Sequence, residues 1–275
     1  MIELNGKEVK NYIEEKLSSK IDKINKEKKI VILENSFDPS AQTYAKTKKK
    51  LFEKYGINYS CIPIAESYGE DDIIKIIKKL NDDDNVAGIF LELPLPNKID
   101  SKKIIDYIDY KKDVEGVTTK ILGRLFSGDE TIAPPTAMSI IKILEYYKIN
   151  ISSSDVVVIN RSMVIGKPLV ALLLNRNATV TVCHTKTKDI DSHILRADIV
   201  ISGVARPHFF EGKKLKENCV VIDASINFEG DKIIGDFDPF LFEGRDDIKY
   251  TPTPGGVGVV TNSVLLENCV KLLST

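Results

Sequence analysis

Short apolar runs alternate with longer stretches of helical period, twice over, and this alternation restricts the chain to an α/β fold with parallel strands. In the first series "KIVILE" (29–34), "INYSCIPI" (57–64) and "AGIFLEL" (87–93) read as strands. Between them, "TYAKTKKKLFEKYG" (43–56) and "EDDIIKIIKKL" (70–80) have apolar residues three and four apart and read as helices. A second series begins near residue 155 with "DVVVIN", "ATVTVCH", "DIVISGV" and "CVVIDAS". Helical "GKPLVALLLNR" (166–176) and "DSHILRA" (191–197) separate its strands. Prolines followed by a long helical pattern, around 130–150, bridge the two series. The apolar-striped "NSVLLENCVKLL" near the end is expected to dock back on the first lobe.

Composition removes several classes. A net charge of -1 and a pI near 6.4 leave no basic footprint for nucleic acid. The amino terminus, "MIELNGKEVKNYIEEK", carries charges where a signal peptide needs an apolar core, and no apolar run reaches the length of a membrane span. Four cysteines, at 61, 183, 219 and 269, have no metal-ligand spacing and read as small buried hydrophobes of a reducing compartment. The expectation is a cytoplasmic protein with no metal, no nucleic-acid partner and no membrane partner.

One lysine stands out. On the helix of residues 43–56, Ala41, Tyr44, Lys48, Leu51, Phe52 and Tyr55 fall on one stripe, which is otherwise apolar or aromatic. Lys46, Lys49, Lys50 and Lys54 fall largely elsewhere. Lys48 therefore sits on the face that should be buried. Either its stem snorkels along apolar surface to water, or the amine has chemistry to do.

The second lobe carries anion chemistry without a standard fingerprint. After "VVVI" the chain reads "NRSMVIGKP", which is neither G-x-G-x-x-G nor a P-loop. What remains is Arg161 and Ser162 just past a strand end, with Gly166 and Lys167 opening a helix. Arginine offers a fixed fork of donors that fits a phosphate. The next strand ends in His184, Thr185 and Lys186, where an NAD-preferring fold often has a carboxylate. If the lobe binds a dinucleotide, these residues favour NADP. The alternative is an ordinary strand-to-helix turn. A third cluster, "YTPTPGGVGVVT" (250–261), has Gly255, Gly256 and Gly258 for close backbone approach, with Thr261 expected to cap a following helix.

In order along the chain, these pieces resemble the bifunctional methylenetetrahydrofolate dehydrogenase/cyclohydrolase family. The family's Tyr-x-x-x-Lys is matched by Tyr44 and Lys48, and its Gln-Leu-Pro-Leu-Pro by "ELPLP" (92–96). Its Lys-Asp-Val-Asp-Gly and Gly-Arg-Leu are matched by "KDVEG" (112–116) and "GRL" (123–125). Its Gly-Arg-Ser with Val-Gly-x-Pro is matched by "NRSMVIGKP", and its Pro-Gly-Gly-Val-Gly by residues 254–258. The resemblance covers nearly the whole chain.

It implies two α/β lobes flanking a cleft, the second a Rossmann-like NADP-binding domain with a parallel sheet. Residues 1–136, joined by the helix 257–275, would form the folate lobe, and 137–256 the NADP lobe. Tyr44 would stack on the pterin, Lys48 would be the key residue of the cyclohydrolase step, and Glu92 would stand beside it. Glu115, Pro254, Gly255 and Gly256 would contact the folate. Thr136, Asn160, Arg161, Ser162, His184, Thr185 and Ile226 would contact NADP, with Arg161 and Ser162 on its extra phosphate. A homodimer is expected.

Departures from the pattern bear on the chemistry. Gln becomes Glu92, Asp becomes Glu115 and Gly becomes Asn160. The usual Pro-Cys-Thr-Pro reads "PPTA", keeping Thr136. The Val-Gly-x-Pro and Val-Gly-Ile-Asn stretches read "VARP" (204–207) and "ASIN" (224–227), and Val259 replaces a proline. The expected function is NADP-dependent oxidation of methylenetetrahydrofolate to the methenyl compound, with hydrolysis to the formyl compound. Two alternatives stand beside it: a dehydrogenase with weak or lost cyclohydrolase activity, and a non-catalytic folate- or nucleotide-binding protein. Glu92, set at the carboxyl end of its strand by Pro94 and Pro96, is expected to raise the pKa of Lys48 and slow hydrolysis near neutrality.

Overall fold

The computed structural model describes residues 1–274, except for the side chains of residues 39–44. The chain runs β1 (Ile2–Glu3), α1 (Gly6–Ile21), β2 (Lys29–Asn35), α2 (Pro39–Lys54), β3 (Tyr59–Ile64), α3 (Glu70–Asn81) and β4 (Val86–Leu91). Then come α4 (Ser101–Ile105), α5 (Thr119–Phe126), α6 (Pro135–Tyr146), β5 (Asp155–Ile159), α7 (Gly166–Leu174), β6 (Thr179–Cys183), α8 (Ile190–Arg196) and β7 (Ile199–Ser202). The last part holds β8 (Val220–Asp223), β9 (Asn227–Glu229), β10 (Lys232–Ile234), β11 (Lys249–Tyr250) and α9 (Val257–Leu273). Among the described residues no helix is long and apolar enough to cross a membrane.

Compactness divides the chain into two units. One comprises Glu15–Arg124, Thr131–Ala133 and Leu265–Thr275. Its sheet has three parallel strands in the order β3-β2-β4. Flanked on both sides, β2 reads as a continuous apolar run, and Ile30, Val31, Ile32 and Leu33 are all at most 1% exposed. Each such side chain contributes about 1.5–3 kcal/mol of burial. Ile73 and Ile77 of α3 pack on the same core. The end of α9 belongs here too: Asn268 Nδ2 donates to the carbonyls of Val114 and Ala133, at 3.0 Å each.

The other unit comprises Met1–Glu14, Leu125–Glu130 and Pro134–Val264. Its sheet has six parallel strands in the order β1-β11-β8-β7-β5-β6. The core joins Val157, Val200 and Val221 of three adjacent strands to Phe210, Phe237 and Phe242. β9 and β10 form an antiparallel hairpin beside it in sequence.

Three features depart from the reading of the sequence. The first two residues of β1 join the larger sheet through β11, although residues 1–136 were expected to form one lobe by function. The helices α1 and α5 and the β9–β10 hairpin were not anticipated. The terminal helix spans Val257–Leu273, so the expected cap at Thr261 fails. Thr261 lies within it and donates from Oγ1 to the Val257 carbonyl at 3.1 Å, so it caps nothing.

Candidate functional site

In the three-stranded unit, α2 carries Lys48 to the end of β4. Its amine stands 3.6 Å from the centroid of the Phe90 ring and 3.9 Å from Glu92 Oε1. A cation over a ring face and a carboxylate at that range both favour the charged amine. Lys49, by contrast, turns away and pairs with Glu34 at 2.7 Å. The Tyr44 side chain lies outside the described residues.

Backbone pairing holds Glu92 in place. β4 stops at Leu91, and the Glu92 N–H donates to the Leu33 carbonyl at 3.0 Å. Glu92 Oε2 accepts from the Asn35 N–H at 3.2 Å, and Asn35 Nδ2 donates to the Pro94 carbonyl at 2.7 Å. Glu92 is 3% exposed, and Oε1, the oxygen facing Lys48, has no hydrogen-bond partner among the described residues. Glu115 arrives on the 113–118 loop. Gly88 lets that loop lie against β4, because a Cβ there would stand 2.5 Å from Val114 Cγ2. Asp113 then fixes the turn by accepting the Thr118 N–H at 2.8 Å.

Burial pushes all three groups toward neutrality. Loss of solvent lowers the Lys48 pKa, against the opposing pull of Glu115 and then Glu92. Loss of solvent raises Glu92, against the pull of Lys48. The Glu115 carboxyl is pushed up to about 7 by burial, with Lys48 pulling it down and the charges of Asp113 and Glu92 adding to the rise. The expected elevation of Lys48 is therefore corrected: Glu92 does push it upward, but desolvation is larger and the net shift is down. An amine and two acids shifted toward neutrality, and each feeling the others' charge, can accept and donate protons.

In the six-stranded unit, the remaining candidates line the carboxyl edge of the sheet, where open α/β sheets take ligands. Asn160, Arg161 and Ser162 follow β5, His184 and Thr185 follow β6, and Ile226 follows β8. Arg161 is exposed and makes no ion pair among the described residues. Ser162 Oγ accepts from the Ile165 N–H at 3.1 Å and can still donate. His184 Nδ1 accepts from the Lys186 N–H at 3.1 Å. The end of β6 thus offers no carboxylate to a ribose. A Cβ on Gly166 would stand 2.2 Å from the Asn160 carbonyl oxygen, so only glycine fits the turn. A free guanidinium, hydroxyl donors and a glycine turn at the head of a nine-residue helix fit the phosphates of NAD(P). Thr136 lies in the first turn of α6. Pro254, Gly255 and Gly256 lie before α9, in this unit, and Lys48 and Glu92 lie in the other. Gly255 adopts φ 116°, and its carbonyl accepts the Gly6 N–H at 2.8 Å.

Sequence reasoning missed a buried acid beneath this edge. Asp236 accepts from Ser202 Oγ at 2.5 Å, Ser225 Oγ at 2.6 Å, Asn227 Nδ2 at 3.2 Å, and the N–H groups of Val204 and Arg206 at 2.9 and 2.8 Å. It ties down the "VARP" and "ASIN" loops, both of which depart from the family pattern. The signal was present as an acid at the foot of a hairpin, but nothing local gave it partners.

The fold and these two sets of residues define an enzyme with an NAD(P)-binding domain and a separate α/β domain bearing a lysine between two acids. Residues 4–115 match the tetrahydrofolate dehydrogenase/cyclohydrolase catalytic domain, and residues 134–275 match the NAD(P)-binding domain of the same family. The bifunctional protein FolD of Clostridium botulinum is 39% identical, over 98% of this chain and 97% of that protein. The crystal structure of the bifunctional enzyme FolD, a methylenetetrahydrofolate dehydrogenase/cyclohydrolase from Campylobacter jejuni, aligns with a TM-score of 0.91 at 36% identity, covering 99% and 98% of the two chains. The Trypanosoma brucei enzyme, solved with NADP cofactor and inhibitor, aligns with a TM-score of 0.87 at 26% identity, covering 99% and 97%. The chain belongs to the tetrahydrofolate dehydrogenase/cyclohydrolase family.

Proposed function

We propose that the chain oxidises 5,10-methylenetetrahydrofolate with NADP and hydrolyses the 5,10-methenyltetrahydrofolate product to 10-formyltetrahydrofolate. The observation that carries this reading is the Lys48 amine, held over Phe90 between Glu92 and Glu115 in a chain whose two domains both match the family. NADP, when bound, supplies the hydride acceptor. The chain's part in the first step is to hold the folate carbon in line, which requires no protein proton donor.

The second step adds water to the methenyl carbon, opens the carbon–nitrogen bond and releases a proton. Lys48, with its pKa lowered by burial, is the base that assists the water. Glu115 is the residue that holds the pterin ring, with Tyr44 stacked upon it. Pro254, Gly255 and Gly256 are proposed to meet the folate as well. Arg161 and Ser162 hold the extra phosphate of NADP, with Thr136, Asn160, His184, Thr185 and Ile226 around the rest of the cofactor. The functional division remains residues 1–136 with 257–275 for folate and 137–256 for NADP.

Glu92 and Glu115, in place of the family's Gln and Asp, favour a second reading: a dehydrogenase with slow hydrolysis. One assay separates the two. NADPH formation and methenyl loss are followed together, with purified protein and methylenetetrahydrofolate. Both signals are expected, with NADP preferred over NAD by at least about tenfold because charge-assisted phosphate bonds are the strong ones. NADPH formation with methenyl accumulating at its uncatalysed rate of loss would leave only the dehydrogenase. We also infer a cytoplasmic homodimer. The four free cysteines support the compartment, and the exposed Phe228 and Phe240 of the six-stranded unit support self-association. Light scattering tests the latter.

A further inference from the structure

β5 lies between β6 and β7, so the chain leaves it on one side and returns on the other. The crevice at the carboxyl ends of β5 and β7 is therefore the switch point, where a dinucleotide crosses such a sheet. Two glycines flank it. A Cβ on Gly166 would stand 2.2 Å from the Asn160 carbonyl oxygen, and one on Gly203 would stand 3.0 Å from Asn160 Nδ2. Glycines in such places leave a pyrophosphate room to approach the backbone. Here the room is filled from within. Asn160 Nδ2 donates to the Gly203 carbonyl at 2.6 Å, across the mouth of the crevice. Its Oδ1 accepts the N–H groups of Ser162 at 2.8 Å and Gly166 at 3.1 Å. One carboxamide thus straps β5 to β7 and occupies the N–H of Ser162 in the turn after β5 and that of Gly166 at the head of α7.

We propose that Asn160 is an internal stand-in for phosphate on this turn, and that it weakens the chain's affinity for NADP and NAD alike. This rests on the nucleotide reading above. A bound pyrophosphate must displace Oδ1 from its donors or bind without them, and either way part of the available binding is lost. The pyrophosphate is common to both dinucleotides, so the effect is common to both. The choice between them stays with Arg161, which meets only the extra phosphate. Asn160 has ordinary φ, which glycine and alanine also adopt, so removing the carboxamide does not strain the backbone.

The test is equilibrium binding of NADP and of NAD to the protein without folate, for the unmodified chain, Asn160→Gly, Asn160→Ala and Arg161→Ala. Removal of the carboxamide is expected to tighten both dinucleotides by a common factor of about three to ten, the worth of one net hydrogen bond. Arg161→Ala should weaken NADP alone. A gain in affinity is a readout that structural damage does not produce. The alanine variant carries the test if the more flexible glycine variant melts early. Unchanged or weaker binding of both dinucleotides, or a gain confined to one, overturns the proposal while leaving the nucleotide reading intact. Failure of the unmodified chain to bind either dinucleotide removes both.

Discussion

Lys48 was conspicuous in the sequence because helical spacing put an amine on an apolar stripe. Its partners were not, since Phe90 of β4 and Glu92 just past its end lie more than forty residues away and only the fold brings them to the amine. Replacing Lys48 by Met should lower methenyl hydrolysis by about a hundredfold or more, the scale of a lost general base. Hydride transfer should stay measurable. Lys49→Ala should leave both steps within about twofold, because that amine is engaged with Glu34 at a partly exposed pair. Equal hydrolysis by all three proteins would return Lys48 to the role of a snorkelling surface residue. Glu92 acts on the same amine through its charge. Burial lowers Lys48 and the carboxylates restrain that fall, so Glu92→Gln should let it fall further. The hydrolysis profile of Glu92→Gln should then rise at lower pH than that of the parent. Superimposed pH–rate curves would mean that the carboxylate does not set the lysine's charge.

At the scale of elements, what could be read was what announces itself by period or by composition. β2, β4, β5 and β7 are short runs of Ile, Val and Leu, and α3 repeats its isoleucines at helical spacing between an acidic first turn and a basic last one. α1 also carries a legible stripe, Val9, Ile13 and Leu17, but its many charges drew attention to what it could not be. β1 and β11 have two residues each, too few for any period, and exist because β11 pairs with β8 and β1 in turn with β11. The Asp236 hub was illegible for the same reason: its donors come from β7, the loop that follows it, the loop after β8, and β9. Asp236→Ala would leave two backbone N–H groups and two hydroxyls without their acceptor. That should cost about 3–5 kcal/mol, seen as a lower urea midpoint, with Asp236→Asn intermediate. A midpoint within error of the parent would show that the loops are held by other contacts.

For the whole molecule, the two series of alternating elements announced two α/β bodies, and the charge balance left the electrostatics to a few buried groups. One such group lies in each unit. Glu115 has its pKa pushed from an ordinary 4.5 to about 7, and Asp223, at the end of β8, from 3.8 to about 7, in both cases chiefly by burial. Between those limits the folded chain holds protons that the unfolded chain has released. Stability from this source is therefore fully present below pH 4 and is lost as pH rises through 7. Asp247 works in the opposite sense, held well below the usual carboxylate range by Arg245, so its contribution is lost as the solution turns acid. Stability should accordingly peak near pH 4 and decline from there to about pH 7, levelling off above it. Glu115→Gln removes one such declining contribution without removing the side chain's bulk. Its melting temperature should gain about 3 °C or more at pH 8, where a gain of 1 kcal/mol moves a chain of this kind by about 2–4 °C, and little at pH 5. Thermal melts of parent and variant across this range decide the matter, since parallel lines would mean that Glu115 titrates no differently folded than unfolded.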